Sequence, residues 1–82
     1  MNASTGEFSV YQWFPSGNYE EVLRFVSAEQ AAETAQRLSQ SVGAKIGTTV
    51  RVIITDGGDE INFEWVFGKG VVFPTIEQAV AG

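Results

Sequence analysis

Two strongly β-prone runs, RVII and INFEWVF, face each other across the six residues TDGGDE, Thr55 to Glu60. This arrangement limits the chain more than any other feature, because period-2 alternation on both sides of a Gly-Gly turn leaves few structures except an antiparallel hairpin. Folding about Gly57 and Gly58 sets Ile54 against Ile61, Val52 against Phe63 and Val50 against Trp65 on one face. On the other face Arg51 meets Glu64. The glycines are read as the turn, with positive φ as the physical requirement. The carboxylates of Asp56, Asp59 and Glu60 could alternatively supply oxygen ligands to a hard cation such as calcium. They lack the alternating acids and distant bidentate Glu of a helical calcium loop, so weak binding is the most they promise.

An earlier pair of runs, FSVYQWF and YEEVLRFV, folds in the same way about Ser16 and Gly17. That register places Phe14 opposite Tyr19, Val10 opposite Leu23 and Phe8 opposite Phe25, with Gln12 against Glu21 near the rim. Between the hairpins, SAEQ spells a capping box in which Ser27 and Gln30 satisfy each other's backbone amides. Ala28, Ala31, Ala32, Ala35, Leu38, Ser39 and Val42 then recur at helical spacing, and Gly43 stands where a left-handed cap would end the helix. VVF is a further short strand candidate ended by Pro74, and Thr75 to Gln78 repeats the capping-box spelling ahead of a short C-terminal helix.

The expected architecture is α+β and two-layer: β-hairpin, helix, β-hairpin, with one helix packed on a largely antiparallel sheet of four to five strands. At 82 residues the chain is read as a single domain, residues 1–82, with residues 1–6 as a disordered tail. A domain of this size buries only about 60% of the surface its unfolded chain exposes. The expected core is Phe8, Val10, Leu23, Phe25, Ala31, Ala35, Leu38, Val50, Val52, Ile54, Ile61, Phe63 and Trp65. The strand order is not determined by the sequence.

Composition narrows the function by exclusion. The chain has no cysteine and no histidine, which removes thiol chemistry and the commonest general base and transition-metal ligand. Lys45, Lys69 or a carboxylate would have to activate any Ser or Thr nucleophile, so no catalytic, cofactor-binding or metal residue is assigned. The formal charge is −5, and the five bases are scattered with no two adjacent. Nucleic acid is therefore not an expected partner. GAKIGTT carries the Gly, Lys and Thr of a phosphate loop in the wrong order, with helix before and strand after. No apolar run approaches the ~20 residues of a membrane helix, and the expectation is an acidic, cytoplasmic protein with no membrane partner.

The most informative constellation is the sheet face turned away from the helix. The two registers project Tyr11, Trp13, Val22, Val26, Ile53 and Val66 there, interleaved with Arg24 and Arg51. A helix of about 14 residues is about 21 Å long and covers one sheet face only. Aromatic anchors with Arg are the composition of an interface core. Tyr11, Trp13, Val22, Arg24, Arg51, Ile53 and Val66 are accordingly the candidate interface, met by a second copy or another protein, unless the C-terminal segment folds over them. The alternative is a small-molecule or catalytic pocket at the helix/sheet rim near Gln12, Tyr19 and Glu21.

The stretch VGAKIGTTVRVIITDGGDEINFEWVFGKGVVFP, about two-fifths of the chain, resembles a family of short uncharacterised bacterial proteins that share its GTT, RVIITDGGD, NFEW and FGKGVVFP succession. The family has no assigned activity, so the resemblance transfers no catalytic or binding residue. It implies a bacterial cytosolic setting.

Overall fold

The computed structural model describes residues 6–74; the expected tail residues 1–5 and the expected helix from Thr75 lie outside them. Five strands alternate around two helices in the order β1 (Phe8–Trp13), β2 (Tyr19–Val26), α1 (Ala28–Ser39), α2 (Val42–Ile46), β3 (Arg51–Thr55), β4 (Ile61–Val66) and β5 (Gly70–Phe73). They form one antiparallel sheet ordered β2-β1-β3-β4-β5. The architecture is the expected α+β helix-on-sheet packing. The strand order adds that β1 lies between β2 and β3, so the helical connection passes over it.

α1 starts where the capping box requires. Ser27 Oγ accepts from the Gln30 amide at 3.2 Å, and Gln30 Oε1 accepts from the Ser27 amide at 3.3 Å. Its buried face is Ala31, Thr34 and Ala35, small side chains that let the helix axis lie close to the sheet. They pack with Val10, Val52 and Ile54 as the core, and Phe8, Leu23, Leu38, Phe63 and Trp65 close around it. The helix ends earlier than expected, at Gln40, and Gly43 is not its cap. Ser41 instead opens α2 by accepting from the Ala44 amide at 3.1 Å. The left-handed cap falls on Gly47 (φ 90°), where the amides of Gly47, Thr48 and Thr49 converge on the Gly43 carbonyl at 2.9 to 3.0 Å.

Both hairpin registers depart from the expected ones, with unequal results. In β3–β4 the pairs are Val52 with Trp65, Ile54 with Phe63 and Arg51 with Val66. For these pairs the slip is two residues, which leaves their side chains on the expected faces because the side-chain period is two; at Thr55, which pairs with Ile61, it is one. Arg51 still reaches Glu64, at 2.7 Å from Nε to Oε2, but diagonally. One residue of the slip comes from a three-residue turn and the other from a register shift between Ile54 and Thr55. Gly57 and Gly58 do not adopt positive φ; Asp59 does (φ 63°). At the strand's start Ile61 is exposed rather than in the core.

In β1–β2 the expected pair Val10 with Leu23 holds, but Trp13 and not Phe14 faces Tyr19, and Gln12 meets Glu20. That slip of one moves Tyr19 to the opposite face. Register shifts between Tyr11 and Val10 and between Val10 and Phe8 add residues to β2. As a result Val22 and Val26 pack against the core on the helix side, contrary to the expectation that both face away. Phe25 is forced left-handed (φ 54°) and turns outward, 61% exposed, instead of joining the core opposite Phe8. Gly6 lies against this kink, its amide bonded to the Phe25 carbonyl at 3.1 Å.

Candidate functional site

The sheet face away from α1 gathers aromatic side chains from two strands. β1 contributes Tyr11 and Trp13, and the slipped register of β2 brings Tyr19 beside them. The ring centroids are 5.2 Å apart for Trp13 and Tyr19, 6.0 Å for Tyr11 and Tyr19, and 6.3 Å for Tyr11 and Trp13, all in tilted arrangements. These separations lie in the attractive range for aromatic pairs. β3 supplies the floor, Ile53 and Thr55, and the five residues line a shallow depression of about 340 Å³.

Charged groups frame the rings in pairs. Arg51 Cζ sits 4.6 Å from the Trp13 ring centroid while its Nε donates to Glu64, so one guanidinium joins a cation–π contact to an ion pair. On the other flank Tyr11 donates its hydroxyl to Glu21 Oε2 at 3.1 Å, and Arg24 grips Glu21 Oε1 at 2.7 Å. The hydrogen bond from Arg24, with that from Tyr11, holds the Glu21 carboxyl below the usual carboxylate range. Burial, reinforced by Glu21, pushes the Tyr11 hydroxyl up. These are the only two ion pairs among the described residues.

Of the seven expected interface residues, Tyr11, Trp13, Arg51, Ile53 and Val66 share this face, as the β1–β3 and β3–β4 registers require. Val22 does not, since it packs on the core from the helix side. Arg24 is exposed at the rim, held by Glu21 and lying 5.7 Å from the Phe25 ring centroid. The alternative rim pocket is dispersed: Tyr19 and Glu21 belong to the aromatic face, whereas Gln12 bonds Glu20 and Thr49 near the first turn. Thr55 is a site residue that sequence reasoning missed, and Tyr19, expected at the rim pocket, falls instead among the rings.

The carboxylates of the β3–β4 turn serve the backbone. Asp56 Oδ1 accepts from the amides of Gly58 at 2.9 Å and Glu60 at 3.1 Å. The Asn62 side-chain amide and these two backbone amides hold its carboxyl below the usual range. Among the described residues no group of three acids is placed to hold a metal ion, and no helix is long and apolar enough to cross a membrane. No family model, curated protein or solved structure matches the chain.

Proposed function

We propose that the protein is a non-enzymatic interaction module of the bacterial cytosol that pairs with a second copy of itself through the aromatic sheet face. The observation that carries this reading is the cluster of Tyr11, Trp13 and Tyr19 on the side that α1 leaves uncovered, with Tyr19 60% exposed. Charge favours a second copy over an unrelated partner. The molecule carries −5, yet the two acids bonded to this cluster are matched, Glu21 by Arg24 and Glu64 by Arg51. Two identical acidic chains therefore approach here with the least repulsion, and sheet-to-sheet contact about a two-fold axis, at about 10 Å spacing, would stack the rings at its centre.

Sedimentation at two concentrations tests the reading. The expected result, at about 1 M salt where ionic contacts are screened, is a monomer–dimer equilibrium of fixed stoichiometry that Tyr19→Glu abolishes while the circular dichroism of the chain is retained. A wild-type protein that stays monomeric at high micromolar concentration would sink it. A second reading, small-molecule binding at the helix/sheet rim, is favoured by a groove of about 360 Å³ that includes Ala32, Gln36, Ile54, Phe63 and Val71. It predicts that apolar ligands shift the amide resonances of Phe63 and Val71 and leave those of Trp13 unmoved.

A further inference from the structure

The strands carry opposite charge to the two ends of the molecule. The register places Phe8, Val26, Thr55 and Ile61 at one end and Trp13, Tyr19, Arg51 and Val66 at the other. Strands of five to eight residues separate these ends by about 20 Å. At the first end stand Glu7 just before β1, Glu29 in the first turn of α1, and Asp56, Asp59 and Glu60 in the β3–β4 turn. Arg24 is the base there, and Glu21 already holds it.

At the second end stand Arg37 in the last turn of α1, Lys45 in α2 and Lys69 in the β4–β5 turn. None of the three takes part in an ion pair among the described residues. The acids on that side are Glu20, bonded by Gln12, Glu33, one helical turn before Arg37, and Glu64, which Arg51 pairs. α2 and the β4–β5 turn form one surface, since a side chain at Gly47 would come within 3.1 Å of the Phe67 ring.

Each end also exposes large apolar side chains beside its charges. Val42 (72%) and Ile46 (68%) project from α2 one turn apart, next to Phe67; Phe25 and Ile61 project at the acidic end. Apolar residues in the company of opposite charges, on two separate surfaces of one molecule, are complementary to each other.

We propose that the acidic end of one copy docks on the basic end of the next. Such a contact joins unlike surfaces, so it repeats head to tail without closing, unlike a two-fold pairing. The basic, apolar end alone would also suit an anionic lipid surface. A chain of net charge −5 is repelled from such a surface, however, and lipid would leave the exposed Phe25 and Ile61 among the acids without a counterpart. A second copy accounts for both ends.

The test is the mass distribution of the full chain by sedimentation velocity at about 0.1 M and about 1 M salt, where screening lengths are about 10 Å and about 3 Å. The expected result is a weight-average mass that keeps rising with concentration at low salt and falls to a fixed value at high salt. A double and a triple variant at exposed positions sharpen it: Lys45→Glu with Lys69→Glu, and Glu7→Lys with Glu29→Lys and Glu60→Lys. Each alone should lose the open-ended growth, and an equimolar mixture should regain it, because one variant now has two acidic ends and the other has basic character at both. Regain in the mixture also shows that both variants fold. A fixed-stoichiometry dimer through the aromatic face would persist in both variants and at both salts, so the two associations are separable. The proposal is overturned by growth that is indifferent to salt and to both variants, by a wild-type mass that never grows, or by sedimentation with anionic vesicles in the absence of any self-association.

Discussion

The two long hairpins close with the same backbone and different chemistry. In the first, the Phe14 amide donates to Asn18 and the Gly17 amide to the Phe14 carbonyl, both at 2.9 Å; in the second, Asp56 donates to Glu60 and Asp59 to the Asp56 carbonyl, both at 3.0 Å. Each turn is thus an i to i+3 bond whose last residue is left-handed and restarts the ladder, the three-residue hairpin loop with its bulge. The left-handed seat is held by Gly17 (φ 93°) in one and by Asp59 (φ 63°) in the other. The first turn is fixed by residue types suited to their dihedrals. The second seats a residue that tolerates the left-handed region less well than glycine, and the Asp56 carboxylate compensates by accepting two backbone amides.

The comparison breaks most visibly at Gly17. Gly17→Val is expected to cost about 1 to 3 kcal/mol, measured from urea midpoints, and the cost is purely conformational because nothing lies within 4 Å of an added Cβ. A neutral result would mean that the loop readily adopts another closure. Asp56→Ala should come next, since two amides lose their acceptor. Asp56→Asn keeps an acceptor oxygen but removes the charge, and so isolates the pH dependence. The folded Asp56 titrates below its unfolded value, so its stabilisation is present above the unfolded pKa and is lost as pH falls through the folded one. Wild type should therefore lose more stability than Asp56→Asn on acidification from about pH 5 to about pH 2. Equal losses would place the acid sensitivity elsewhere.

Asp59→Gly has the opposite sign. Relief of the left-handed penalty should stabilise the chain by up to about 1 kcal/mol, offset by the greater freedom of glycine in the unfolded state. A destabilised variant would show that the Asp59 side chain contributes something its φ does not reveal. Smallest is Gly58→Ala, expected within about 0.5 kcal/mol of wild type: its φ is not positive, and the nearest atom to an added Cβ is Asp56 Oδ1 at 3.6 Å. A large loss there would restore the Gly-Gly pair as the seat of the turn.

Those two turns also mark what was legible in the sequence. Hairpin, helix and hairpin follow from alternation and the capping box, because each signal is local and repeated across several residues. The second face survived a wrong register because a slip of two is invisible to parity. The first did not, because a slip of one carried Tyr19 across the sheet. The cue was present: Pro15 and Gly17 occupy the second and fourth positions of a type I turn, where those residues are favoured, which points to a longer loop than the one centred on Ser16 and Gly17. The bulged course of β2 left no comparable signal. Val22 and Phe25 look like ordinary members of the two alternating faces, one outward and one inward, until the chain must satisfy both β1 and the entry to α1. α2 was missed because five residues are too few to show a period.

The strand order has a kinetic consequence. Residues 6–39, as a hairpin and helix, and residues 51–73, as a three-stranded meander, are each built from contacts close in sequence. They meet in the sheet through the single β1–β3 ladder, whose partners lie roughly forty residues apart. Val10 belongs to one half and Val52 and Ile54 to the other, so neither half completes the core by itself. Closing that ladder is expected to be the slow event in folding, with the hairpins and α1 forming and dissolving ahead of it. A chain cut between Gln40 and Ser41 should accordingly yield two fragments that are each unstructured and that recover the native fold when mixed, at a rate that rises with fragment concentration.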